Sequence, residues 1–222
     1  MPSIALTKRL PRRTDMPTYH FDIEQGTPEW NAIRAGKWSA SRAGTIMGGL
    51  DTKGLADLVM DVAWGRVYGP IEHASYKSAA MERGNNLEPE TRERYAFQTD
   101  HVVEQCGFVE HSTILHVGWS PDGLVGRKRG IEAKNPLHKA YMEVCDRMKI
   151  PAEYRWQVKW GMWVGELEAM DFLCDHPLAQ LIILPCELTE SEKQQMAERV
   201  EVLEKRVAEW VEKLMNRKRE AA

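Results

Sequence analysis

Near the end of the chain Met196, Val200, Leu203, Val207, Val211 and Leu214 recur at steps of three or four, the period that lines one face of an α-helix. Thr189 and Glu192 stand just ahead of them in the spacing of a capping box. Arg217, Lys218 and Arg219 follow where the negative end of a helix dipole favours cations. The segment predicts one long amphipathic helix. A looser stripe of Leu55, Leu58, Val59, Val62 and Val67, closed by Gly69-Pro70, predicts a helix over 54–68. Thr27-Pro28-Glu29, followed by Trp30, Ile33 and Gly36, reads as a short helix with Thr27 as N-cap, Pro28 at the first helical position and Gly36 ending it. Ser39 to Met47 reads as a second, stopped by Gly48-Gly49. Residues 76–98, rich in Ala, Glu and Arg, read as mainly helical, with Pro89 marking a new helix start.

The texture then changes. His101-Val-Val, Phe108-Val-Glu, Ile114-Leu-His-Val and Gly123-Leu-Val look extended. The turn Arg127-Lys-Arg-Gly130, read as solvated, leads into Ile131-Glu-Ala-Lys134. Short runs of this kind between Gly-containing turns predict a hairpin or meander. Helical texture returns at 138–148 and 153–165, where Trp156, Trp160 and Trp163 share a face and read as core. Ala169–Cys174 and Leu181–Cys186 are strand candidates. The order predicts an α/β fold with α+β-like character, its mixed sheet in the second half flanked by helices.

Composition narrows the class. Of the 222 residues, 43% are hydrophobic and 28% charged, the balance of an ordinary globular chain that can bury a core without staples. One domain over 19–222 is expected behind a flexible basic arm over 1–18 that carries Lys8, Arg9, Arg12 and Arg13. No apolar stretch follows those charges, so a secretory signal is not expected. No apolar run reaches the roughly 18 residues of a membrane span. Cys106, Cys145, Cys174 and Cys186 are scattered without a C-x-x-C pair, which suits a reducing cytoplasm and disfavours a zinc ribbon. A net charge of −3 excludes coating of nucleic acid by bulk charge but leaves room for a local basic track.

The chemistry lies in Ser120-Pro121-Asp122 and, ten residues after the aspartate, Glu132-Ala133-Lys134. Residues i and i+2 of a strand share a face, so Glu132 and Lys134 point the same way, and a hairpin brings Asp122 beside Glu132. Two carboxylates so close repel, and burial raises the cost. A divalent cation relieves it, and all-oxygen ligation suits Mg²⁺ or Mn²⁺. Such an ion activates water and neutralises charge on a phosphate, while a lysine orients or helps deprotonate the water or stabilises charge. The spacing therefore equips a phosphodiester hydrolase. The competing reading is a surface hairpin with a Glu–Lys pair. A second acid-x-Lys triplet, Asp51-Thr-Lys53, lies in a Gly-rich loop with no strand pattern.

Pro121-Asp122 with Glu132-Ala133-Lys134 resembles the PD-(D/E)xK nuclease motif, and the wider chain resembles the lambda-type phage exonucleases, the YqaJ viral recombinase family. Glu29-Trp30-x-x-x-Arg34-x-Gly36 and Ser39-Ala40-Ser41 are similar to the family's opening helix and turn. Gly84-x-x-x-Glu88 resembles its acidic helix, and Gln157 with Met162-Trp163 its Gln helix. The resemblance implies a restriction-endonuclease-like core with a central mixed sheet. It implies metal ligation by Glu88, Asp122, Glu132 and the Ala133 carbonyl, with two Mg²⁺ per site and Mn²⁺ as a substitute. It makes Lys134 the catalytic lysine and Gln157 a residue that orients the water or that lysine, and it places the 5′-terminal phosphate of DNA against Arg34, Ser41 and Ser120.

The expected activity is Mg²⁺-dependent 5′→3′ exonucleolysis of linear double-stranded DNA, releasing 5′-mononucleotides and leaving 3′ overhangs for recombination by strand annealing. The resemblance further implies a ring-shaped homotrimer, a single-strand annealing protein as partner, and a phage- or prophage-encoded protein in the bacterial cytoplasm. The rivals are a restriction-type endonuclease on the same fold and a catalytically silent DNA-binding protein.

Overall fold

The computed structural model describes residues 15–71 and 79–220. Residues 1–14 of the expected basic arm lie outside the described residues, and Thr18, placed in that arm, already begins β1 (Thr18–His20). Thr27 caps α1 (Pro28–Arg34), accepting the Trp30 backbone N–H at 3.3 Å. The helix expected over 39–47 is shorter than its sequence suggests. Trp38 and Ser39 form β2 (Trp38–Ser39), a 3₁₀ turn spans Ala40–Arg42, and only α2 (Ala43–Ile46) is α-helical. α3 (Lys53–Tyr68) ends at Gly69 as expected.

Pro89 does not start a helix: α4 (Ala79–Thr99) runs through it. Proline removes one backbone donor, and here both Pro89 and Asn85, whose carbonyl loses its partner, are exposed. Asp100, with φ 58°, turns the chain out of α4. His101-Val-Val then forms no strand, because Val102 is 80% exposed and has no face to bury. Pairing there is limited to a bridge between Glu104 and Leu124.

After β3 (Phe108–Glu110), the left-handed His116, φ 61°, delays β4 to Val117–Trp119. β5 (Gly123–Val125) and β6 (Arg129–Lys134) form the hairpin, followed by α5 (His138–Arg147), α6 (Ala152–Val164), β7 (Ala169–Cys174), β8 (Ile182–Cys186) and α7 (Glu190–Glu220). The 127–130 turn keeps Arg127 and Lys128 exposed, as expected, while Arg129 is half-buried and Gly130 buried. Arg127 stands 4.3 Å over both Tyr19 and Phe21, and Arg129 Nη1 donates to the buried Asp171 Oδ2 at 2.7 Å.

The mixed sheet flanked by helices is present in two pieces of four strands, ordered β1-β3-β4-β2 and β5-β6-β7-β8. β6 and β7 are parallel, Glu132 opposite Phe172, so the chain must cross over between them, and α5 and α6 make that crossover. Gly161 lets α6 lie close to β4: a Cβ there would stand 2.7 Å from the Trp119 ring. α7 buries Met196, Val200, Leu203 and Val207 in the main core, against α3. Arg66 grips Glu204 with two bonds of 2.7 and 2.6 Å, and Trp38 Nε1 donates to the same carboxylate at 2.6 Å, tying α3, α7 and β2 together.

The capping box closes in both directions. Glu192 N donates to Thr189 Oγ1 at 3.2 Å, and Thr189 N to Glu192 Oε2 at 3.1 Å. Burial disfavours the ionised Glu192, but Lys159, the Thr189 N–H and Arg155 outweigh it and hold the carboxyl down to about 2. A carboxyl depressed in the folded state stabilises above its ordinary value near 4.5 and loses that contribution as pH falls towards 2. Glu192→Ala is expected to cost about 2 kcal/mol at neutral pH. Melting curves of the variant and the parent should converge on acidification below about pH 3.

Candidate active site

The β5–β6 hairpin sets Gly123 opposite Ile131, so Asp122, just before β5, reaches the level of Glu132 and Ala133. Asp122 Oδ2 accepts the Ala133 N–H at 2.7 Å. The N–H and C=O of one strand residue point to the same edge. The Ala133 carbonyl therefore faces the Asp122 side, beyond the end of β5. Glu132 and Lys134 project together from β6, with Lys134 Nζ 2.5 Å from Glu132 Oε1. Gln157, half-buried on α6, donates its Nε2 to the same oxygen at 2.5 Å. Glu88 enters from α4 and is paired with Arg92, whose Nη1 also donates to the Asp122 carbonyl at 3.2 Å. The structure thus brings Glu88, Asp122, Glu132, Lys134 and Gln157 to one place.

The electrostatics follow from burial. Glu132 is 1% exposed. Burial first, then Asp122, push its carboxyl up to about 8, against the pull of Lys134. Glu88 is raised to about 7, again by burial and by Asp122. Asp122 is raised too, by burial. Burial works against the Lys134 ammonium, but Glu132 and Asp122 outweigh it and hold the lysine above its ordinary value, so the amine stays charged. Three carboxyl groups with too little positive charge between them are a donor set that fits a divalent cation. Among the described residues no three Asp, Glu, His or Cys side chains are drawn into a closed ligand cage. Lys134, Gln157, Arg92 and the Ala133 N–H each hold a carboxylate oxygen instead.

A second cluster adjoins the first. Arg34 lies 3.8 Å over the Trp30 ring. Its Nε is buried with no hydrogen-bond partner among the described residues. Burial and the nearby Arg42 push its guanidinium down to about 10. A cation kept with a free donor in this way is ready for an anion. Trp30 Nε1 donates to Ser120 Oγ at 2.9 Å, and Ser41 Oγ stands 3.2 Å from Ser39 Oγ. A single cavity of about 700 Å³ is lined by Arg34, Ser41, Ser120, Glu88, Asp122, Glu132, Ala133, Lys134 and Gln157.

Several supporting residues escaped the sequence reading. Gln25 donates to the Pro121 carbonyl at 2.7 Å and the Cys106 carbonyl at 3.1 Å, clasping the Pro-Asp turn, and nothing local marks it. Arg92 was legible in principle, four residues after Glu88 on a helix. Tyr154 stacks on Phe172 with ring centres 5.6 Å apart and lies 5.3 Å from Lys134 Nζ.

Comparison with known proteins fits this geometry. The family described as the YqaJ-like viral recombinase domain matches residues 29–168, a span that contains every one of the nine cavity residues named above. No curated protein matches the sequence significantly. Among solved structures, the chain is similar to an alkaline exonuclease, LHK-Exo from Laribacter hongkongensis, at 28% identity and a TM-score of 0.79, over 88% of this chain and 100% of that one. The same figures hold for LHK-Exo in complex with dAMP. A phage-related exonuclease from Haemophilus somnus 129PT shares the fold at 14% identity, with a TM-score of 0.59, 83% of this chain and 99% of that one covered. The match spans more than half of the chain and carries the whole candidate site, and the chain belongs to the YqaJ-like viral recombinase domain family.

Proposed function

We propose that the chain is a Mg²⁺-dependent 5′→3′ exonuclease that takes 5′-phosphorylated ends of linear double-stranded DNA, releases 5′-mononucleotides and leaves 3′ single strands. The observation that carries this reading is the sharing of one cavity by a carboxylate–lysine cluster and an anion pocket. A hydrolytic cluster alone serves cleavage anywhere along a strand. The adjoining Arg34, Ser41 and Ser120 give a terminal phosphate a place to dock. A relative crystallised with dAMP, a deoxynucleoside monophosphate of the kind such a reaction releases, supports the substrate class.

Glu88, Asp122, Glu132 and the Ala133 carbonyl would hold the ion. An ion held there would supply a more nucleophilic water and positive charge beside the scissile phosphate. The Lys134 ammonium donates to the attacking water or to the developing oxyanion. Gln157 keeps Glu132 in place by its 2.5 Å bond. Arg34 offers its fork to the terminal phosphate, and the Ser41 and Ser120 hydroxyls donate alongside.

A ring-shaped homotrimer and a single-strand annealing partner complete the proposal. A closed ring retains duplex without a strongly basic surface, which agrees with a net charge of −3. Among the described residues no helix is long and apolar enough to cross a membrane.

The test is degradation with Mg²⁺ of three substrates: linear duplex with 5′-phosphate, the same duplex with 5′-hydroxyl, and covalently closed circles. Rapid loss of the first, slow loss of the second and intact circles are expected. Nicked circles would indicate an endonuclease, and no product from any substrate a silent DNA binder. Sedimentation velocity measures the trimer.

A further inference from the structure

α4 brings Glu88 to the cavity, and Thr91, one turn further along the same helix face, is fully buried. Its oxygen accepts from Asn135 Nδ2 at 2.8 Å and stands 2.9 Å from Asp175 Oδ2. A hydroxyl has one proton, and the carboxylate is a stronger acceptor than the Leu87 carbonyl at 3.1 Å, so Thr91 donates to Asp175. Asn135 follows Lys134 as the chain leaves β6. Asp175, the first residue after β7, donates its backbone N–H to the Lys134 carbonyl at 2.9 Å. The Thr91 oxygen therefore fastens three things: the helix that bears Glu88, the end of the strand that bears Glu132 and Lys134, and the end of β7. Apolar contact among Tyr95, Ile131 and Leu173 already packs this region. A buried chain of amide, hydroxyl and carboxylate adds direction, which apolar contact does not supply.

We infer that Thr91, with Asn135 as its donor, is a positioning residue that sets Glu88 on α4 against the Glu132–Lys134 pair on β6, and so tunes the affinity of the site for its divalent cation. The inference rests on the reading of the site given under Proposed function. Neither residue is asked to touch the reacting phosphate.

The experiment uses the full chain and Mn²⁺ alone, with binding read from loss of the free-ion electron paramagnetic resonance signal. Thr91→Val keeps the shape and deletes the oxygen, and it should bind Mn²⁺ about tenfold more weakly, the lower end of the effect of losing a group that bonds a ligand directly, because Thr91 acts on the ligands through the elements that carry them. Thr91→Ser should restore binding close to the parent. Asn135→Ala, at a half-buried position, should weaken it in the same direction. The double variant should be little worse than Thr91→Val, because both changes cut one link. On 5′-phosphorylated duplex, kcat should fall while KM holds, since the phosphate pocket stands on other elements. Thr91→Val and Asn135→Ala binding Mn²⁺ like the parent while melting lower would overturn the inference and leave only a structural lock. Should Thr91→Val not fold, Asn135→Ala decides alone. Absence of Mn²⁺ binding by the parent chain would overturn the metal reading, and this inference with it.

Discussion

Glu132→Gln is expected to lower hydrolysis by a factor of about a thousand or more, equal to roughly 4 kcal/mol of transition-state stabilisation, with DNA binding retained. Glutamine keeps the shape and can still accept from Lys134 and Gln157, but it brings no charge to a cation. Mn²⁺ binding should disappear with activity. Lys134→Met should separate the two: the carboxylates remain, the ion still binds, and turnover is lost.

A second readout comes from pH. The Glu132 carboxyl sits at about 8 in the folded chain against an ordinary 4.5. A raised carboxyl keeps its proton longer in the folded state, so its contribution to stability falls as pH climbs from about 4.5 to 8. In chelator at alkaline pH, Glu132→Gln should therefore melt higher than the parent, with Asp122 left to face Lys134. A lower melting temperature there would mean that the carboxylate serves the fold.

Arg34→Ala is expected to erase the preference for phosphorylated ends. The parent should favour 5′-phosphate over 5′-hydroxyl duplex by about tenfold to a hundredfold, the range of one or two charge-assisted hydrogen bonds. In the variant the two substrates should be degraded at similar rates, both near the slower parent value. The side chain is half-buried, with a buried Nε that has no partner among the described residues, so its removal also relieves desolvation. Loss of the cation over Trp30 costs about 1–2 kcal/mol, and the variant should fold. Rates on the two substrates check it directly. A preference left intact would move the phosphate site away from Arg34.

Local rules reached far into this chain where a local period or cap decides the outcome. Met196 to Leu214 is helical because one face packs on α3. Ala169–Cys174 is a strand with the bounds its pattern suggests. Asp122, Glu132 and Lys134 converge because a hairpin and a two-residue alternation are both short-range geometry. What stayed hidden depends on partners far along the chain. Division of the strands between two sheets is set by which edges meet. Thr91 lies on α4 and Asn135 and Asp175 just past β6 and β7, and only folding brings them together. Pro89 misled because a proline on an exposed face can lie within a helix. His101-Val-Val misled because Val102 lies exposed, and Val103 packs on the core without strand pairing.

Ser120 follows the last strand of the first sheet, and Asp122 precedes the first strand of the second. One proline separates them, with its ring limiting rotation and Gln25 holding its carbonyl. On the proposed reading, the serine that meets the terminal phosphate and the aspartate of the cleavage centre are thus joined by two peptide links of about 3.8 Å each between α-carbons. Such a linkage would act as a built-in ruler: with the terminus seated, the bond to be cut would already be measured off. Lengthening that tripeptide by one residue should change the size of the fragment removed.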